Sequence, residues 1–375
     1  MFKFHEIKKL HVELSSACNA ACPVCPRNVQ GGYDTPNIQV STFTYDNFVK
    51  IFDSVFIQNL KQILFVGRYG DPAYCKDFVN ILSYIYKHNK KVISVMHTNG
   101  GIRSPDWWAE LSKFQNLTVV FSIDGLENTN HIYRRNVNWD KLINNVTSFI
   151  SSGGNAIWEF LVFDHNQHQI DTAKDISSKL GFNEFKLKRP YGFNTIVNNI
   201  DAINVIDKKG IFDYAIFPAD GIKNLPFESK NFKHIGHDFT KQQYMSRQRN
   251  VAAASIVDEK FDNIEIDCHA VKQKEIYVDA LYNVHPCCWL AYSGQSNILP
   301  DAAEVKYNEW IKKEIGIDKI NALSYSLRDI LESSYFNKLK QTWSLSHKDG
   351  RFPTCTTMCG KSTNLRQQLI VEQHD

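Results

Sequence analysis

Between residues 9 and 188, short β-rich runs alternate with amphipathic helical patterns, and this alternation constrains the fold more than any other feature of the chain. The runs are KLHVEL (9–14), QILFV (62–66), KVISVM (91–96), LTVVFSI (117–123), IWEFLVF (157–163) and EFKLK (184–188). Phe48, Ile51, Phe52 and Val55 recur at helical spacing after the first run, Phe78, Ile81, Leu82 and Ile85 after the second, and Trp139, Leu142, Ile143 and Val146 after the fourth. SPDWW at 104–108 predicts a helix capped by Ser104 with Pro105 in its first turn, and Gly181 in LGF closes another. Strands alternating with helices give an α/β fold with a parallel sheet and right-handed crossovers, either an open doubly wound sheet or an incomplete barrel. In both architectures chemistry collects at the C-terminal ends of the strands.

A chain of 375 residues with 43% hydrophobic side chains buries a substantial core and suggests about two domains. Residues 1–194 form the first. Residues 195–262 are polar, lack cysteine and show weak periodicity, which reads as an insertion or a long connection. Residues 263–375 form a second unit opening with a β-hairpin between two cysteine sites. Charge is nearly balanced, 43 basic against 40 acidic side chains without a long run of one sign, so no nucleic-acid partner is indicated. MFKFHEIKKLHVEL has no apolar leader and ILFV at 63–66 is too short to cross a bilayer, so the expectation is a soluble cytoplasmic protein.

In a reducing compartment, clustered thiols more often serve metals or catalysis than disulfides, and the chain has nine cysteines. ELSSACNAACPVCPRN (13–28) places Cys18, Cys22 and Cys25 directly after the first strand. Three thiolates hold three corners of an iron-sulfur cubane and leave the fourth iron open to a ligand. A closed structural zinc wants a fourth protein ligand, so a zinc knuckle borrowing a distant residue, or simply buried cysteines, is the alternative. Cys75 in PAYCKDF reads as a buried helix residue. His165 and His168 line a substrate cavity or belong to a loop before a helix, and Trp107, Trp108 and Trp158 read as core.

CNAACPVC in this position resembles the CxxxCxxC signature of the radical S-adenosylmethionine (SAM) enzymes, which implies a partial (β/α)6 TIM-like barrel. Other segments over about 10–190 agree in order: GRYGDP (67–72) resembles the family's GGEP motif, HTNGG (97–101) ends the third strand, SIDG (122–125) ends the fourth, and TNHIYRRN follows. Two positions depart from the pattern: Val24 stands where the family often has an aromatic, and Asp71 replaces the glutamate of GGEP. The resemblance implies a [4Fe–4S] cluster on Cys18, Cys22 and Cys25 that binds SAM and cleaves it reductively to a 5'-deoxyadenosyl radical. By the same resemblance Gly67, Gly70 and Asp71 would hold the methionyl amine. Thr98, Asn99, Ser122 and Asp124 are candidates for the ribose or methionyl end, Arg134 for the carboxylate, and Leu161 for the adenine. Each also has an ordinary structural reading: Asn99 with Gly100 as a turn pair, Ser122 as a helix cap, Arg134 as surface charge.

IYVDALYNVHPCCW and FPTCTTMC resemble the SPASM/Twitch extension of that family. The resemblance implies one auxiliary [4Fe–4S] cluster on Cys268, Cys287, Cys355 and Cys359, with Cys288 as rival to Cys287 and a four-cysteine zinc ribbon as the alternative. The implied activity is an oxidoreductase acting on a peptide or protein, with dehydrogenation or rearrangement of a small polar molecule such as a sugar or nucleotide as the second reading. A noncatalytic zinc or iron-sulfur protein is the third. Catalysis would need an electron donor such as flavodoxin or ferredoxin. No winged-helix segment precedes the first strand, so a peptide would be recognised by residues 195–262 or by a separate carrier.

Overall fold

The computed structural model describes residues 2–36, 38–188, 190, 202–219, 262–291 and 307–361. Of the expected insertion, only 202–219 and 262 fall within that set; the rest lies outside the described residues.

Six parallel strands follow the expected runs: β1 (Lys9–Val12), β2 (Gln62–Phe65), β3 (Ile93–Thr98), β4 (Leu117–Ser122), β5 (Asn155–Leu161) and β6 (Glu184–Lys188). They pair in sequence order as an open, curved sheet of the partial-barrel kind. After a separate two-stranded hairpin, β7 (Ile203–Ile206) with β8 (Phe212–Ile216), two more strands join the main sheet. β9 (Glu275–Val278) runs parallel to β1 on its outer edge, Lys9 opposite Glu275 and Val12 opposite Val278, and β10 (Val284–His285) folds back on it. The predicted hairpin of the C-terminal unit is therefore a continuation of the barrel sheet. Its position has a plain cause: β1 would otherwise present an unpaired row of main-chain groups.

Alternation along the strands sorts the two faces. On β5, Ala156, Trp158 and Phe160 are buried, Trp158 against Phe182 and Phe185, whereas Ile157, Glu159 and Leu161 face the other way and are half-buried. Phe78, Ile81, Leu82 and Ile85 cover the outer face from the helix Phe78–His88, as their spacing predicts. The first helical pattern breaks in two. Asp53 caps a new helix, Ser54–Asn59, by accepting from Phe56 N at 2.8 Å, and this turns Val55 out to solvent. Ser104 precedes the helix Pro105–Leu111 but its hydroxyl does not cap it; Pro105 alone marks the start. Gly181 closes Ile170–Leu180 at φ +89°, a left-handed conformation that favours glycine.

Candidate SAM and cluster site

The three N-terminal cysteines lie on the loop leaving β1, where Cys25 N donates to Cys22 O at 3.0 Å and Ala21 N to Arg135 O at 2.9 Å. Arg27 braces the loop, its guanidinium donating to the Ser16 carbonyl and pairing with Asp34 at 2.8 Å. Burial pushes the Cys25 thiol up to about 12 and raises Cys18 and Cys22 as well. Metal binding, which needs the deprotonated thiolate, would release these protons.

Donors converge on the sulfurs. Asn99 Nδ2 lies 3.5 Å from Cys18 Sγ and donates to Asn19 Oδ1 at 2.8 Å, while Arg134 Nη1 lies 3.6 Å from Cys22 Sγ. Among the described residues, no group of three or more His, Cys, Asp or Glu side chains is set to hold one metal ion. Three sulfurs on one loop, met by hydrogen-bond donors, are a donor set suited to an anionic iron-sulfur cluster with one open position.

The turn after β2 is tight and packs on this loop so closely that neither of its glycine positions admits a side chain. A Cβ on Gly70 would lie 2.0 Å from Ser15 O, and one on Gly67 would lie 1.8 Å from Gly70 O. Asp71 N donates to Ala17 O at 2.8 Å, fastening the turn to the start of the cysteine loop. The Asp71 side chain points inward: its carboxylate accepts from Thr98 Oγ1 at 2.9 and 3.0 Å, from Asn99 N at 2.8 Å and from Ala73 N at 3.0 Å. Asp71 and Thr98 are thus occupied in tying the β2 turn to the end of β3, and Thr98 also accepts from Gly100 N.

Asp124 is fully buried beyond β4. One oxygen takes Arg134 Nε at 2.6 Å and the other takes Leu161 N at 2.7 Å, so it aims Arg134 at the cysteine loop and fixes the end of β5. The Asp124 carboxylate balances the charge of Arg134 against the cost of its burial. Ser122 ends β4 half-buried, with no side-chain hydrogen bond to the described residues, and Leu161 ends β5 beside it. All nine candidate cofactor residues therefore gather at the C-terminal ends of β2 to β5 or in the loops that follow them. The barrel interior next to them is charged: Glu159 is flanked by Lys188 Nζ at 2.5 Å and His97 Nδ1 at 3.6 Å. Burial alone would raise Glu159, but its bonds and charge interactions with His97 and Lys188 outweigh this and bring it down to about 2.

Glu13 is a site residue that sequence reasoning missed. Buried just beyond β1, it accepts from Tyr69 N at 2.6 Å and Gly70 N at 3.1 Å on one oxygen and from Tyr277 Oη at 2.9 Å on the other. Its signal was present in KLHVEL, an acidic residue in a strand buried on both faces.

In the C-terminal unit, Cys268, Cys287, Cys355 and Cys359 line one cavity, walled by Trp289, Leu339, Trp343 and Met358. Cys355 and Cys359 share a face of the helix Pro353–Cys359, and Asp267 N donates to Cys359 O at 2.7 Å. Cys288 does not line this cavity; His11 and Arg68 neighbour its thiol and Arg68 Nη1 donates to its carbonyl at 2.6 Å. Cys75 is buried, its thiol directed to Phe43 O at 3.4 Å, and none of the nine cysteines forms a disulfide. Trp108 and Trp158 are core. His165 stacks on Phe163 at 5.2 Å, half-buried, and His168 is exposed. No helix among the described residues is long and apolar enough to cross a membrane.

Residues 12–176 match the Radical SAM superfamily. Among solved structures, Streptococcus suis SuiB bound to S-adenosylmethionine is similar with a TM-score of 0.51 and 14% identity, over 99% of this chain and 77% of that one. SuiB bound to its precursor peptide SuiA gives a TM-score of 0.50 and 15% identity over 97% and 74%. The AdoMet-bound anSMEcpe gives 0.49 and 14% over 94% and 85%. No curated protein matches the chain.

Proposed function

Taking as premise that residues 12–176 are a radical SAM domain and the chain a radical SAM enzyme, we propose that it is an oxidoreductase that abstracts hydrogen from a peptide or protein. Bound at Cys18, Cys22 and Cys25, the reduced cluster would supply the electron that cleaves SAM and yields a 5'-deoxyadenosyl radical. The chain's own residues do the rest. The main chain of Gly67–Asp71 receives the methionyl amine, with Asp71 shaping the turn from behind. Arg134, held by Asp124, receives the carboxylate. Asn99, Ser122 and Leu161 border the remainder of the cofactor, while Thr98 and Asp124 act by positioning their neighbours. Cys268, Cys287, Cys355 and Cys359 take one auxiliary [4Fe–4S] cluster, of the SPASM/Twitch kind, in a C-terminal unit from about 263, the core domain ending near 194. The supporting observation for the ligand choice is the shared cavity, from which Cys288 is excluded.

The observation that carries the reading is the packing of the Gly67–Gly70 turn, whose two glycine positions admit no Cβ, on a three-cysteine loop whose sulfurs meet Asn99 and Arg134. The peptide substrate is supported by the likeness to SuiB in complex with SuiA. A specific observation favours a second reading, a small polar substrate: the charged interior formed by His97, Glu159 and Lys188 offers polar recognition inside the barrel. Nine free cysteines fit a reducing, cytoplasmic setting with a flavodoxin or ferredoxin as electron donor. The test is anaerobic reconstitution with iron and sulfide, then measurement of 5'-deoxyadenosine from SAM under reducing conditions. The wild type should form it and Cys22→Ala should not. A protein carrying about eight irons, two four-iron clusters, that makes none would be a noncatalytic iron-sulfur protein. Two short trials then separate the substrates, offering precursor-type peptides in one and sugars or nucleotides in the other.

A further inference from the structure

The turn that receives SAM in this reading is fastened at two points to the C-terminal unit. At the first, the Glu13 carboxylate bridges Tyr69 N and Gly70 N to the Tyr277 hydroxyl. Tyr277 belongs to β9, which follows Cys268 by one short helix (His269–Gln273) and leads through β10 to Cys287. At the second, Arg68, a residue of the turn itself, donates to the carbonyl of Cys288 at 2.6 Å, one residue from Cys287. These contacts leave from different residues of the turn and end on the one segment, 268–291, that carries two of the four cysteines lining the C-terminal cavity.

We propose that Glu13, Arg68 and Tyr277 are positioning residues through which filling of the C-terminal four-cysteine cavity tightens SAM binding at the 67–72 turn. The inference rests on the function proposed above. Metal binding to a cysteine-lined unit orders the segments that supply the ligands. Ordering 268–291 fixes the Tyr277 hydroxyl, which donates to Glu13, and the Cys288 carbonyl, which accepts from Arg68 of the turn. Without Tyr277, a Glu13 oxygen loses its partner in a buried position, a loss the carboxylate answers by moving away from Tyr69 and Gly70. Linkage makes the effect reciprocal, so SAM binding should in turn tighten retention of the auxiliary cluster.

Two experiments test this. In the first, SAM is the probe and equilibrium dialysis compares the reconstituted wild type with Cys355→Ala/Cys359→Ala, which lacks the auxiliary ligands. SAM affinity should fall at least about fivefold, the lower end of ordinary coupling between sites. Arg68→Ala/Tyr277→Phe should fall to a similar level, and adding the cysteine substitutions to it should change affinity less than about twofold, the mark of lost coupling. The second needs no SAM and no N-terminal cluster: in Cys18→Ala/Cys22→Ala/Cys25→Ala, loading the C-terminal site with iron and sulfide should slow hydrogen exchange at the Tyr69 and Gly70 amides. That slowing should vanish on adding Arg68→Ala/Tyr277→Phe and persist with Arg68→Lys alone. Failure of the wild type to bind SAM would count against the proposed function, leaving the exchange measurement to decide the coupling. Normal SAM binding that ignores the C-terminal cysteines, or exchange at Tyr69 and Gly70 that ignores iron loading, would overturn the coupling alone.

Discussion

Replacing Asp71 with alanine removes the acceptor for three donors at once. The N–H of Ala73, the hydroxyl of Thr98 and the N–H of Asn99 all end on its carboxylate at 2.8 to 3.0 Å, and Asp71 is only 4% exposed. A buried donor left without an acceptor costs about 1–3 kcal/mol, so three give roughly 3–9 kcal/mol. Burial raises the Asp71 pKa, so the native carboxylate carries a desolvation penalty that the substitution relieves. The expectation therefore sits at the low end, about 3–4 kcal/mol. Asp71→Asn keeps one carbonyl oxygen and should cost about 1–2 kcal/mol. Against a total stability of about 5–15 kcal/mol, both variants fold with a reduced margin. Urea unfolding of the iron-free protein in anaerobic reducing buffer measures the loss as a shift in midpoint at constant slope. A loss below about 1 kcal/mol for Asp71→Ala would refute the assignment of this residue as the tie between the β2 turn and β3.

Three other outcomes follow from the same geometry. Glu159 is pulled from 4.5 to about 2, so its stabilising contribution is complete above 4.5 and lost as pH falls toward 2; at about 1.4 kcal/mol per unit this is about 3 kcal/mol. Glu159→Gln should flatten the stability of the iron-free protein across that window, and an unchanged pH profile would contradict the ion triad with His97 and Lys188. Arg134→Ala strands fully buried Asp124 and should cost about 3–5 kcal/mol, part of which Arg134→Met with Asp124→Asn recovers, as unfolding midpoints would show. Iron analysis separates the adjacent thiols: Cys287→Ser should lose about half the iron, one of two four-iron clusters, while Cys288→Ser keeps it, and the reverse result would exchange their roles.

The strand and helix order was legible because hydrophobic periodicity is local: β1 to β6 fall within or beside the runs that announce them. The positions of Gly67 and Gly70 were legible for a related reason, since a glycine pair directly after a strand signals close main-chain approach. What the sequence concealed is non-local. That β9 would pair with β1 across more than 260 residues depends on which edge is left open, and nothing within IYVDALYNV encodes it. The partners of Asp71 and Asp124 were hidden likewise. Both stand in motifs that suggest ligand contact, yet both carboxylates are spent on Thr98, Asn99, Arg134 and Leu161, contacts that exist only once the strand ends converge. The break at Asp53 was readable in principle, because an aspartate three residues before Phe56 is a cap signal, but the apolar spacing across it masked the new start.

The central claim, an N-terminal cluster with one iron open to SAM, is tested most directly by electron paramagnetic resonance of the reduced protein carrying Cys268→Ala, Cys287→Ala, Cys355→Ala and Cys359→Ala, so that only the N-terminal site contributes. Adding SAM should change the g values of that signal, because the cofactor binds the metal itself. A four-iron signal indifferent to saturating SAM would contradict the account.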